Sequence, residues 1–287
     1  MIAEKEVKKY QALEKLHWNL YIGFSQNEKR GENKAILEEL SIIEKRHYRE
    51  LTKILGSECE ISRAYLKFLI KLGKVLGIRF VIKYVERKEN RVKGKIISLY
   101  KGEKKAVPEL FMENDTEKEA INKLYDEKLL YVSAILLGMN DAMVEFSGAL
   151  AGYSLAIEDT KMIGVIGMIT GIAAALSMSI AEYMAVKEDE KSHLKCNRAA
   201  VYTGIAYIIA VSLLVFPYFL EINRFFSLGL MVSVDVFLVF IFNYYVAITT
   251  EVNLWKKFSR MTLIVLSVAF ISFIIGYLAQ IFLGVKI

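Results

Sequence analysis

The chain has 287 residues, a formal net charge of +6 and 54% hydrophobic residues, enough for two domains or one large one. Charge is unevenly spread: residues 1–130 hold 28 of the 38 Lys and Arg and 21 of the 32 Asp and Glu, so a charged module precedes an apolar one. Acidic residues interleave the basic ones without a recognition motif, which argues against nucleic-acid binding. Cys59 and Cys196 lie far apart with no CxxC partner, which argues against a zinc knuckle or a disulfide framework and fits a reducing compartment.

The N-terminus, MIAEKEVKKYQALEKL, has no apolar core of a signal peptide, so the charged module, residues 1–128, is expected to stay in the cytoplasm. Its basic excess suits a position against an anionic leaflet. Residues 1–57 predict two helices joined near NEKRGEN, with Leu13, Leu16 and Leu20 on one and Ile36, Leu37, Leu40 and Ile43 on the other at helical spacing. Glu44 and His47 form a Glu-x-x-His, whose carboxylate and imidazole share one helix face and suit a metal, as in ferritin-like bundles. In such a bundle a Glu from each of two helices joins a Glu-x-x-His from each of two others. Glu14 is placed for this on the first helix, and Glu86 or Glu89 at the end of a long third.

That third helix is expected from Ala64 to Val85 and beyond, with lysines interleaved along an apolar run. It reads either as an amphipathic helix on the membrane surface or as a bundle helix whose lysines snorkel. Pro108, after the Lys/Gly-rich YKGEKKA, marks the start of a fourth helix over about 107–128, carrying Glu113 and Glu117.

Residues 129–287 predict five membrane spans, near 130–157, 162–186, 199–220, 225–250 and 261–285, each of about the 20 apolar residues a bilayer requires. The connections on one side carry Lys187, Lys191, Lys195, Arg198, Lys256, Lys257 and Arg260; those on the other carry Lys161, Arg224 and Lys286. The positive-inside rule then predicts a cytoplasmic N-terminus and an external C-terminus. Asp141 and Glu145, four apart, share one face of the first span. Glu182 lies in the second and Asp235 in the fourth. Carboxylates at depth cost about 2.5–3.5 kcal/mol each on insertion scales and usually mark a pathway; a protonated, hydrogen-bonded carboxyl with a structural role is the plainer reading, weightiest for the lone Asp235.

Met139 and Met143 flank Asp141, and Met178 sits one turn before Glu182. By helix rise, Asp141 lies roughly 18 Å and Met178 roughly 12 Å from the cytoplasmic side, so the two meet near mid-membrane. Thioether with carboxylate suits a transition metal better than Na⁺ or Mg²⁺, while core packing is the commoner use of any single Met. Gly148-x₃-Gly152 and Gly167-x₃-Gly171 allow close helix approach.

The run LGMNDAMVEFSGALAGYSLAI, followed by GMITGIAAALSMSIAEYMAVKEDE, resembles the first two spans of the vacuolar iron transporter family, in its prokaryotic branch with an N-terminal rubrerythrin-like domain. The resemblance implies an all-α protein: a ferritin-like bundle over 1–128, then a five-span transporter domain over 129–287. It implies a homodimer in the lipid bilayer that moves Fe²⁺, and often Mn²⁺, out of the cytosol in exchange for protons. Asp141 would be the metal and proton carboxylate and Met178 the soft ligand opposite, with Glu145 or Glu182 handing the metal along. Eukaryotic members extend the second and third helices into a glutamate-rich cytoplasmic domain; here the connection is too short, although Glu188, Asp189, Glu190 and His193 lie in it. The family pattern would place a second histidine at Thr116. Its absence there counts against a complete di-iron oxidation centre, with Glu117 as a substitute ligand, and leaves a bundle that binds or delivers metal. A membrane-anchored ferroxidase and a metal-responsive sensor are the alternatives.

Overall fold

The computed structural model describes residues 2–102, 107–111, 115–126, 129, 131–189 and 195–283. No strand occurs among the described residues, and the chain divides into two compact units, Met1–Lys128 and Leu129–Ile287.

In the first unit α1 (Ile2–Ser25) and α2 (Gly31–Leu55) run antiparallel. Their periodic leucines, Leu20, Leu37, Leu40 and Leu51, are buried between them and their neighbours. The Gln11 amide donates to Thr52 Oγ1 at 3.0 Å across the pair. Gly56, at φ 63°, ends α2 by turning its N–H back to the Thr52 carbonyl, a conformation that costs glycine nothing. Ser62 caps α3 (Arg63–Leu76), accepting from the Tyr65 N–H. α3 packs Leu69 and Gly73 inward, where a Cβ at Gly73 would stand 2.7 Å from the Phe24 ring, so this helix uses one face within the bundle. Phe68 and Val75 stay exposed on the other.

The long third helix expected from Ala64 onward is two helices. The chain breaks at Gly77, φ 101°, before α4 (Ile78–Gly102). Asp126 makes the break: its Oδ2 accepts the Arg79 N–H at 3.1 Å, satisfying a donor that the start of α4 leaves open. A Cβ at position 77 would lie 2.5 Å from that oxygen. Gly77→Ala is therefore expected to cost about 1–3 kcal/mol, measured as a lower denaturation midpoint of the purified chain in detergent. An apolar period continues through such a break, so it gave no warning. The expected fourth helix over 107–128 is likewise shorter, a 3-10 turn at Glu109–Phe111 and the short α5 (Asp115–Lys123). Glu86 and Glu89 accordingly sit within α4 and not at a helix end.

The second unit holds α6 (Val132–Ala156), α7 (Thr160–Glu188), α8 (Cys196–Val215) with a 3-10 turn Phe216–Phe219, α9 (Arg224–Thr249) and α10 (Leu254–Leu283). Among the described residues, five helices are long and apolar enough to cross a membrane. The last begins earlier than expected, because Asn253 Oδ1 accepts the Lys256 N–H and draws WKKFSR into the helix. Burial makes α6 the centre: 56% of its apolar stretch is enclosed, against 17% for α10. Both small-residue patterns are used, on different partners. Gly148 and Gly152 face α10, where a Cβ on Gly276 would lie 2.5 Å from the Gly152 carbonyl oxygen. Gly167 and Gly171 of α7 face Leu150 and Phe146 of α6.

Where α6 hands over to α7, three ties cross to the start of α9. Lys161 Nζ pairs with Glu221 at 2.6 Å, Thr160 Oγ1 donates to the Ile222 carbonyl, and the Arg224 guanidinium donates to the Ile157 carbonyl at 3.0 Å.

Candidate metal sites

In the first unit, helix periodicity turns Glu14 and His17 of α1 inward toward Glu44 and His47 of α2. Glu14, His17 and Glu44 are almost wholly buried. His47 Nδ1 is 3.4 Å from Glu14 Oε2, and 3.9 Å from both Glu44 Oε2 and Glu117 Oε1. His17 Nδ1 is 2.7 Å from Glu89 Oε2 and 3.9 Å from Glu44 Oε1. Glu44 thus stands between two imidazoles, one oxygen toward each. Glu89 is fixed on its other oxygen by the Tyr10 hydroxyl, at 3.2 Å. Glu86 and Glu117 line the same cleft. Glu113 falls outside the described residues, as do Glu190 and His193.

Position 116, where the family pattern would place a second histidine, is Thr, and a second Glu-x-x-His stands on α1 as Glu14-x-x-His17. The motif is as plain in EKLH as in EKRH, and an expectation tied to the fourth helix passed over it. Each of the two motifs puts a carboxylate and an imidazole on one helix face.

Five carboxylates gather with two imidazoles, and Lys93 and Lys118 also line the cleft. No aligned hydrogen bond reaches either oxygen of Glu14 or either nitrogen of His17. Buried ionised groups in this state cost several kcal/mol each unless paired. Ligand atoms of Glu14, Glu44 and His47 lie within 4.8 Å of one another, so a divalent cation would satisfy them. Carboxylate oxygens with imidazole nitrogens suit Fe²⁺ or Mn²⁺. The residues present fit a metal.

Without metal the cluster holds protons instead. Burial, then the charges of Glu14, Glu89 and Glu117, push the Glu44 carboxyl well above its ordinary value of 4.5. Burial would lower both imidazoles, but Glu89 raises His17 and Glu14 raises His47 above 6.5. Burial would likewise raise Glu14; the proximity of Glu44 and His47 outweighs it and keeps that carboxyl low. Groups raised on folding stabilise fully below their unfolded values and lose that contribution as pH climbs through the folded ones. Glu14 stays ionised above pH 5 and leaves the sign unchanged. The thermal midpoint of the metal-free chain is therefore expected to fall from pH 5 to pH 8.5. Added Fe²⁺ or Mn²⁺ should reverse the fall, because cations replace the lost protons; calorimetry in detergent checks both.

In the second unit, α6 is enclosed on most sides, yet Leu137, Asp141 and Glu145 are exposed along one stripe. The Tyr207 hydroxyl of α8 donates to Glu145, a contact that spacing did not show. Met178 and Glu182 of α7 are half-buried, Met178 against the main apolar core. Phe146 opposes Gly171 and Leu150 opposes Gly167, and this antiparallel register sets Met178 level with Met139. Asp141 and Met178 then lie within roughly 3 Å in depth. Asp235, also noted in the sequence, is enclosed, and its carboxyl meets the Ser147 hydroxyl of α6.

Residues 132–198 match the VIT family. The matched stretch spans α6, α7 and the start of α8, and so contains Asp141, Glu145, Met178 and Glu182. It supports the resemblance to the vacuolar iron transporters and indicates a membrane metal-ion transporter. No curated protein matches the chain.

Proposed function

We propose that the chain exports a divalent transition metal, Fe²⁺ or Mn²⁺, from the cytosol in exchange for protons, as a homodimer in the bilayer. One observation carries this reading: within the stretch matched to a metal-transporter family, two carboxylates lie on the exposed stripe of a helix whose other faces are largely enclosed. At about 2.5–3.5 kcal/mol each, Asp141 and Glu145 do not face lipid. A second copy of the same stripe across an aqueous path covers them and doubles the ligand set. Asp141 holds the metal with the Met178 thioether at the same depth, a mixed hard and soft pair that disfavours Mg²⁺. Glu145, held by Tyr207, and Glu182 pass the metal along the path. The basic residues at the α7–α8 and α9–α10 connections favour a cytoplasmic N-terminus and an external C-terminus.

The N-terminal bundle binds the metal before transport. Glu14, His47 and Glu117 would hold one cation, and His17, Glu89 and Glu86 a second, with Glu44 shared between them. This donor set also favours a second reading, oxidation of Fe²⁺ by oxygen in the bundle. Oxygen consumption by the full chain on adding Fe²⁺, absent in His17→Ala, would support it.

Transport is tested in proteoliposomes holding a metal-sensitive dye, under an imposed pH gradient. Fe²⁺ or Mn²⁺ should enter about 100-fold or more faster than in protein-free liposomes, and Mg²⁺ should not. Equal rates with and without protein would rule out transport.

A further inference from the structure

Asp235 is used by none of the roles above, and its surroundings are those of a carboxylic acid. It lies midway along α9, is 1% exposed, and among the described residues its Oδ1 has no hydrogen-bond partner. Its Oδ2 meets only Ser147 Oγ, which also meets the Met143 carbonyl oxygen one turn back on α6. Ser147 is itself 1% exposed.

A serine hydroxyl has one hydrogen. The Met143 carbonyl can only accept, and an ionised Asp235 can only accept. One hydrogen does not serve both. Both contacts are satisfied when Asp235 carries a proton, donates it to Ser147 Oγ, and Ser147 donates in turn to Met143. Charge accounting agrees. The helix that carries Asp235, α9, packs against α6, α8, α10 and the turn at 216–219. Their basic residues, Arg198, Arg224, Lys256, Lys257 and Arg260, stand at helix ends, and none pairs with it. The other ionisable groups along these helices in the membrane include Asp141, Glu145, Tyr153, Tyr202, Tyr207, Tyr218, Tyr244, Tyr245 and Tyr277. Asp141 and Glu145 point from the exposed stripe of α6, Tyr207 is bonded to Glu145 and Tyr218 to Ser154. An ionised, unpaired carboxylate at this depth is costly.

We propose that Asp235 is the proton-carrying residue of the exchange, so that metal and proton use opposite sides of α6. This rests on the transport reading above and moves the proton role from Asp141 to a carboxyl that the metal does not touch. In the state described, Asp235 is protonated and closed in by Ser147. In the alternate state water reaches Oδ1, the proton leaves to one side as H₃O⁺, and the carboxylate is reprotonated from the other side. Ser147 follows Glu145 by two residues on α6, so a shift of this helix on metal release at its exposed stripe also alters the Ser147–Asp235 contact.

The test compares wild type, Asp235→Asn and Asp235→Glu in proteoliposomes loaded with Mn²⁺-sensitive dye. The quantity read is the ratio of Mn²⁺ flux with a pH gradient to flux without one. Wild type should show a ratio of several-fold, Asp235→Asn a ratio of one, and Asp235→Glu a ratio restored above one. Asparagine keeps the shape and a donor toward Ser147, but cannot release a proton. Infrared spectra of the same proteins supply a readout independent of transport. A protonated-carboxyl C=O band in wild type at neutral pH should vanish in Asp235→Asn and shift in Ser147→Ala. A wild-type ratio in Asp235→Asn, or a band unchanged by it, overturns the proposal. Wild-type flux that ignores the pH gradient overturns it and leaves metal transport standing. Absence of flux in wild type overturns both.

Discussion

Asp141→Ala, reconstituted in liposomes, is expected to move metal 100-fold or more slowly than wild type, indistinguishably from empty membranes. The change removes a charged ligand from each copy's stripe at the same depth as the Met178 thioether. A lost factor of 100 corresponds to about 2.8 kcal/mol, modest for a carboxylate–cation contact away from bulk water. Glu145→Gln should cost less, about tenfold, because an amide still accepts from Tyr207 and keeps one oxygen on the path. Met178→Leu preserves volume and removes the sulfur, so its effect should appear as a changed ratio of Fe²⁺ to Mg²⁺ transport more than as lost flux. Flux measurements on the three variants check this order. Wild-type rates in Asp141→Ala would remove the first span from the metal path.

Metal content of the bundle should change in steps. The full chain in detergent, loaded with Mn²⁺ and passed over a desalting column, is expected to retain two ions at the bundle. His17→Ala and His47→Ala should each retain one, and Glu44→Ala none. The distinction lies in geometry. Each imidazole serves one side of the cluster, whereas Glu44 lies 3.9 Å from both, so its loss opens both positions. Glu86→Ala, on the His17 side, should weaken one ion without removing the other. If Glu44→Ala retained both ions, the shared-ligand arrangement would be wrong. Metal content is read by spectroscopic metal analysis, with alkaline pH lessening competition from protons on the raised histidines.

Much of this architecture was legible in the residues. The five spans follow from length and apolarity, and the shared face of Asp141 and Glu145 follows from a spacing of four. The Gly pairs announced close approach, though not that one pair would meet α10 and the other α6 and α8. Other features depend on contacts between distant segments. Gly77 breaks a continuous apolar run because Asp126, 49 residues later, offers a cap. Tyr207 and Ser147 acquire meaning only when the register of α8 and α9 against α6 is known. His17 differs from these. Its Glu14-x-x-His17 motif is plain in the sequence, whereas the family pattern points to position 116 for a second histidine.

The three ties between residues 157–161 and 221–224 have a mechanical consequence. A pair of hairpins joined at one rim behaves like tongs: the free ends spread while the joined end only pivots. Spreading at the rim would break the Lys161–Glu221 pair and two hydrogen bonds together, whereas spreading at the opposite end breaks none of them. A crosslink between positions 161 and 221 should therefore leave the rate-limiting motion unimpeded.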